Sequence, residues 1–155
     1  MDNKAAATGA QRAWPVRGTE YLEFKSEVVG DTMAVGIWQQ SEQMRAMQAA
    51  MGIVPPKPRL VYVLDGSFAL AQAASVCHLQ AADIIRPGFA PLLLVGLDYL
   101  ESRLNARTRD YVPPGVVPEL RVKGLEGQPP ELQPGGAVRF LQFIETELDP
   151  WIRQR

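Results

Sequence analysis

From Thr19 to Ser26 the chain alternates, with Leu22 and Phe24 set against Glu23 and Lys25, which is the period of a strand with one wet face. Gly30-Asp31 interrupts this pattern, and Met33, Val35 and Ile37 resume it up to Trp38. An antiparallel hairpin follows, with its turn near Val29 to Asp31. The polar stretch before it, residues 1–18, reads as a flexible start. Ser41 is placed to cap a short helix in which Met44, Met47 and Met51 share one face, and Gly52 with Pro55-Pro56 ends it. That methionine stripe reads as core packing rather than as a greasy binding surface.

The period then changes. Arg59 to Leu64 is a continuous apolar run between Pro58 and Asp65-Gly66, as expected of a strand buried on both faces of a parallel sheet. From Ser67 to about Ile85, Leu70, Ala73, Cys77, Ala81 and Ile84 recur at helical spacing, and Arg86-Pro87-Gly88 stops them. A second buried strand is expected from Pro91 to Leu97. Strand, helix, strand is a crossover unit, so the fold class is α/β: an antiparallel hairpin, then parallel strands with a crossover helix.

From Asp98 to Gly135 periodicity disappears and prolines recur, which predicts a long loop of the kind that serves as lid or binding segment. After Gly135-Gly136, Ala137, Phe140, Leu141, Ile144, Leu148 and Ile152 trace one face of a terminal helix, with Pro150 expected to kink its last turn. Residues 19–155 form one partial domain in this reading.

The chain has 155 residues, 46% hydrophobic and 21% charged, with a formal net charge of -1, so it lacks the cationic surplus that nucleic acid requires. Cys77 and His78 are the sole cysteine and histidine, so no intrachain disulfide and no zinc set of these residues can form. No cofactor is implied. Neither an export signal nor a membrane-length apolar run is visible, and a cytoplasmic location is expected.

The same scarcity limits catalysis, because a nucleophilic hydrolase needs a base beside its nucleophile. Ser67, His78 and Asp83 fall on one predicted helix, where a separation of 11 residues holds Ser67 and His78 ~16 Å apart. Ser67 therefore reads as a helix-start residue and His78 as a partly buried helix residue. Glu145, Glu147 and Asp149 read as a solvated helix face, and Asp98 with Glu101 as the opening of the loop. Phosphate-cradling glycine patterns are absent. What remains is Asp65-Gly66-Ser67-Phe68 at the carboxyl end of a buried strand, where open α/β sheets bind ligands and a helix N-terminus offers N–H groups to an anion.

Four segments in order, Leu60-Val-Tyr-Val-Leu-Asp-Gly66, Leu92-Leu-Leu-Val-Gly96, Arg107-Thr-Arg-Asp-Tyr-Val-Pro113, and Gly135-Gly-Ala-Val-Arg-Phe140 through Leu148-Asp-Pro-Trp151, resemble an esterase group of the α/β hydrolases. The similarity is to enterochelin/salmochelin siderophore esterases and S-formylglutathione hydrolase-like proteins, over about residues 19–155, with Val112 where members often carry Thr. The resemblance implies a three-layer sandwich when completed and a serine esterase acting on carboxylic esters. It places the oxyanion hole at the backbone of Gly66 and Ser67, with the first donor the Ser67 N–H. It places Arg107, Asp110 and Tyr111 at the lip of the cleft as substrate-binding residues, Asp110 and Tyr111 having a loop-pinning role as their alternative. In the family a Gly-x-Ser-x-Gly elbow and the acid and histidine follow later in the chain. None is present here, so the expectation is a fragment with oxyanion strand and substrate loop but no triad, inactive alone. A small-molecule ester would be the substrate of the full-length protein, and self-association would run through exposed strand edges at Arg59 to Leu64 and Pro91 to Leu97. The alternative is a noncatalytic α/β binding or interaction module.

Overall fold

The computed structural model describes residues 16–54, 56–81, 91–101, 106–116 and 133–155. Strands β1 (Thr19–Ser26) and β2 (Asp31–Gln39) pair antiparallel in the register that sets Leu22 opposite Val35 and Phe24 opposite Met33. Their connection is the Glu27 to Gly30 turn, one step earlier than expected, closed by Gly30 at φ 73° donating to the Ser26 carbonyl at 3.0 Å. Helix α1 (Glu42–Ala50) begins where Ser41 caps it, its hydroxyl accepting from the Met44 N–H at 3.3 Å. None of its residues is buried, and Met47 and Met51 stand 44% and 46% exposed. The methionine stripe is thus not core packing, because α1 lies outside the sheet rather than across it.

Strand β3 (Arg59–Leu64), helix α2 (Gly66–Ala81) and strand β4 (Leu92–Tyr99) form the expected crossover unit, β3 and β4 running parallel. Strand order is β1-β2-β4-β3. Residues 82–90, with Asp83 and Ile84, lie outside the described part. β4 is flanked on both sides and six of its eight residues are buried, so it has no free edge. β3 was expected to be buried on both faces, yet none of its residues is fully buried, with Val61 37% and Leu64 45% exposed, because it is the edge strand among the described residues.

Alternation along β2 and β4 sorts side chains to the two faces of the sheet. Met33, Val35, Ile37, Val95, Leu97 and Tyr99 meet the terminal helix, whereas Trp38 and Leu94 meet Leu70, Ala74 and Cys77 of α2. α2 approaches closely because Gly36 and Gly96 are cross-strand partners beneath Leu70, and a Cβ on Gly66 would stand 2.9 Å from the Gly96 backbone. Its outer side remains apolar, with Phe68, Val76 and Leu79 more than half exposed.

The stretch after β4 is not structureless throughout. It contains helix α3 (Ala106–Tyr111), with Ala106, Arg109 and Asp110 buried; residues 117–132 lie outside the described part. The terminal helix runs as α4 (Ala137–Phe143), a π turn (Ile144–Leu148) and α5 (Asp149–Arg153). Phe143, fully buried, takes the core position expected of Leu141, which is 57% exposed. Burial of that ring is worth about 1.5–3 kcal/mol. The π turn adds one residue to the repeat, so Phe143, Leu148 and Ile152 reach the same core. Pro150 is the second residue of α5, directly after the π turn, so its missing N–H falls where the helix passes from π to α.

Two acids expected on a solvated face have partners. Glu147 accepts from the Ser26 hydroxyl at 2.6 Å and from the Glu27 and Val28 N–H groups at 3.1 and 3.2 Å, and Asp149 accepts from the Tyr62 hydroxyl at 3.0 Å. Among the described residues no helix is long and apolar enough to cross a membrane.

Candidate functional site

At the carboxyl end of β3 the backbone turns sharply into α2, and Asp65 takes the turn at φ 54°. Left-handed backbone is disfavoured for residues with a Cβ, aspartate being among the more tolerant, and held instances gather at functional turns. The Asp65 carbonyl accepts from the Phe68 and Ala69 N–H groups, both at 2.9 Å, which starts the helix. The Arg107 guanidinium holds the Asp65 carboxylate at 2.8 Å and lies 5.7 Å from the centre of the Tyr111 ring.

The Ser67 N–H, the expected oxyanion donor, donates at 2.8 Å to one oxygen of Asp98, whose other oxygen accepts from the Tyr99 N–H at 2.8 Å. Burial alone would raise the Asp98 carboxyl. The hydrogen bonds from the Ser67 hydroxyl and N–H and from Tyr99, together with the positive charge of Arg107, outweigh it and hold the group below the usual carboxylate range. Asp98 therefore does not open a loop. It belongs to β4, is 8% exposed, and caps α2 from the neighbouring strand.

Beside this junction lies a groove of about 460 Å³ on the α2 face of the sheet, bordered by Gly66, Ser67, Asp98, Tyr21, Leu70 and Leu100. Gly66 and Ser67 are brought together at its end. Gly66 is explained by the approach of α2 to Gly96. Arg107 is exposed beside the junction, its side chain 58% accessible. Asp110 is not at a lip. It is 1% exposed, bound by Arg109 through two hydrogen bonds of 2.7 and 2.6 Å and by the Tyr99 hydroxyl at 2.9 Å. Tyr111 is half-buried against Tyr99 and Phe140, and burial pushes its hydroxyl up to about 12. For both residues the surroundings fit pinning of the loop.

His78 is exposed rather than partly buried, and lines a different groove with Trp38 and Met47, so it is not brought to Ser67. Asp98 was missed as a site residue. Its signal was available, because Leu94, Gly96 and Asp98 continue one side of the strand's alternation past Leu97.

No family model and no curated protein matches the chain. Solved structures do. The IroE-like serine hydrolase from Shewanella oneidensis superposes with a TM-score of 0.60 at 28% identity, over 88% of this chain and 38% of that one. The BES protein from Bacillus cereus gives 0.69 at 22% identity, over 94% and 52%. The siderophore hydrolase EstA from Aspergillus nidulans gives 0.64 at 18% identity, over 97% and 48%. The chain resembles this esterase group in structure as in sequence. It spans about half or less of the length of these three chains. The likeness is of a mixed four-stranded sheet with helices.

Proposed function

We propose that these residues form the amino-terminal part of a serine esterase acting on carboxylic esters, supplying the oxyanion strand and the substrate loop. The observation that carries the reading is the junction itself. A left-handed Asp65, a glycine and a first-turn N–H stand at the carboxyl end of a parallel strand, beside an apolar groove, in a fold shared with an IroE-like serine hydrolase at 28% identity. In this reading the Ser67 N–H is the first donor to the developing oxyanion, Gly66 permits the close approach of the substrate carbonyl, and such a donor is worth about 10²–10³ in rate. Arg107 meets an anionic or catecholate substituent of the ester, while Asp110 and Tyr111 hold its loop. The nucleophile, acid and base come from outside these 155 residues. A small-molecule ester substrate, a cytoplasmic location and self-association through the β3 edge belong to the same proposal.

The test is a fluorophosphonate probe on the purified 155-residue chain, paired with the chain extended along its coding frame. The expected result is no labelling of the former, and labelling at a Gly-x-Ser-x-Gly serine in the latter. Labelling of the short chain at Ser67 overturns the assignment of a backbone-only role.

One observation favours a second reading, a noncatalytic α/β binding module. The donor assigned to the oxyanion is already satisfied by Asp98, and a carboxylate there repels a second negative charge. A stable monomer with no elbow in the extended frame supports that module.

A further inference from the structure

Helix α1 carries apolar thioethers although none of its residues is fully buried: Met44 is half-buried and Met47 is 44% exposed, and Met, Lys, Gln and Glu have nearly equal helix propensities, so propensity does not select methionine there. Met44 and Met47, three positions apart and therefore neighbours on the helix surface, line a groove of about 300 Å³ with Trp38 and with His78 of α2. Among the described residues no carboxylate borders that groove; its other edges are Arg17, Gln39, Ser41 and Gln43. The Trp38 indole is fixed by its N–H donating to the Arg17 carbonyl at 3.0 Å.

We propose that this groove binds a soft monovalent cation, Cu(I) or its congener Ag(I), through the sulfurs of Met44 and Met47 and the imidazole of His78, beside the Trp38 ring. Two uncharged thioethers and a neutral imidazole suit a soft, singly charged ion, whereas calcium and magnesium seek several oxygen ligands and structural zinc favours thiolate or imidazole sets. Arg17 opposes a divalent ion twice as strongly as a monovalent one. An aromatic ring adds a favourable quadrupole. The cation binds without a change of oxidation state, and the site stands independently of the esterase reading. Among the described residues no group of three His, Cys, Asp or Glu converges on a metal, so the methionines are essential to it.

The test is an Ag(I) titration of the 155-residue chain carrying Cys77→Ala, which removes the one thiol that competes for silver, with methionine methyl groups followed by NMR. The expected result is saturable binding that moves the Met44 and Met47 methyl signals and the His78 ring signals while Met33 and Met51 stay in place. Met44→Leu with Met47→Leu abolishes the saturable step, His78→Gln weakens it, and Zn(II) does not displace silver. Leucine keeps the volume and helix propensity of methionine, so circular dichroism of the double variant is unchanged. Equal binding by that variant, equal movement of Met51, or displacement by Zn(II) overturns the proposal.

Discussion

Arg107 and Arg109 lie two positions apart on α3, with opposite fates. Two steps along a helix turn a side chain by about 200°, so one arginine must face outward if the other faces in. Arg109 is 4% exposed and enclosed by Asp110, with Asp31 at 3.4 Å, while Asp110 also takes the Tyr99 hydroxyl. Arg107 is more than half accessible and grips Asp65 beside the strained turn. The same ion pairing therefore does different work. The inner pair fixes the loop to the sheet, and the outer pair ties α3 to the Asp65 turn while its guanidinium stays in reach of solvent.

The comparison breaks most easily at the inner pair. Arg109→Ala removes the cation from the buried Asp110 carboxylate and is expected to cost about 3–5 kcal/mol, seen as a lower denaturant midpoint; a loss as small as that of Arg107→Ala would erase the distinction. Gly136→Ala attacks the same pair from outside, since its Cβ would meet an Asp110 oxygen at 2.7 Å and the Arg109 carbonyl at 2.9 Å. A loss of about 1–3 kcal/mol is expected, comparable to other overpacking changes.

Asp98 sharpens the contrast through pH. Its folded pKa lies below the unfolded value, so its contribution is present above about pH 4 and is lost as pH falls through the folded value. Asp98→Asn is expected to cost about 1.5–3 kcal/mol at pH 7. Denaturation at pH 7 and in acid should give a smaller difference between parent and variant in acid. Arg107→Ala comes last, at about 0–1 kcal/mol, because solvent screens its pair. In the extended esterase the same substitution is expected to raise KM for an anionic ester more than for a neutral one.

Much of the fold was legible because local alternation marks β1 and β2, and continuous apolar runs mark β3 and β4. The crossover unit was legible for the same reason. What escaped depends on distant partners. α1 has a capping serine and a methionine face that suggest burial, but none of its residues is buried. β3 reads as a central strand because its run is apolar, although only β4 pairs with it among the described residues. Phe143 is three positions from Phe140 and was available to α-helical spacing, whereas the five-residue step from Phe143 to Leu148 comes from the π turn, which no α-helical periodicity anticipates. At the site, Asp65, Gly66 and Ser67 announced a turn. The neighbour that satisfies Ser67 sits 31 positions later and could be found only by folding the two strands together.

Glu147 has a kinetic corollary. The amides of the first hairpin's turn are satisfied by a carboxylate whose partner Ser26 is 121 positions away, so that turn is finished only when the last helix docks. Assembly of the hairpin is thereby tied to a high-separation contact, which slows folding and leaves an early product of synthesis with an unsettled leading edge. Stopped-flow refolding of Glu147→Gln would reveal whether docking of the tail sets the pace.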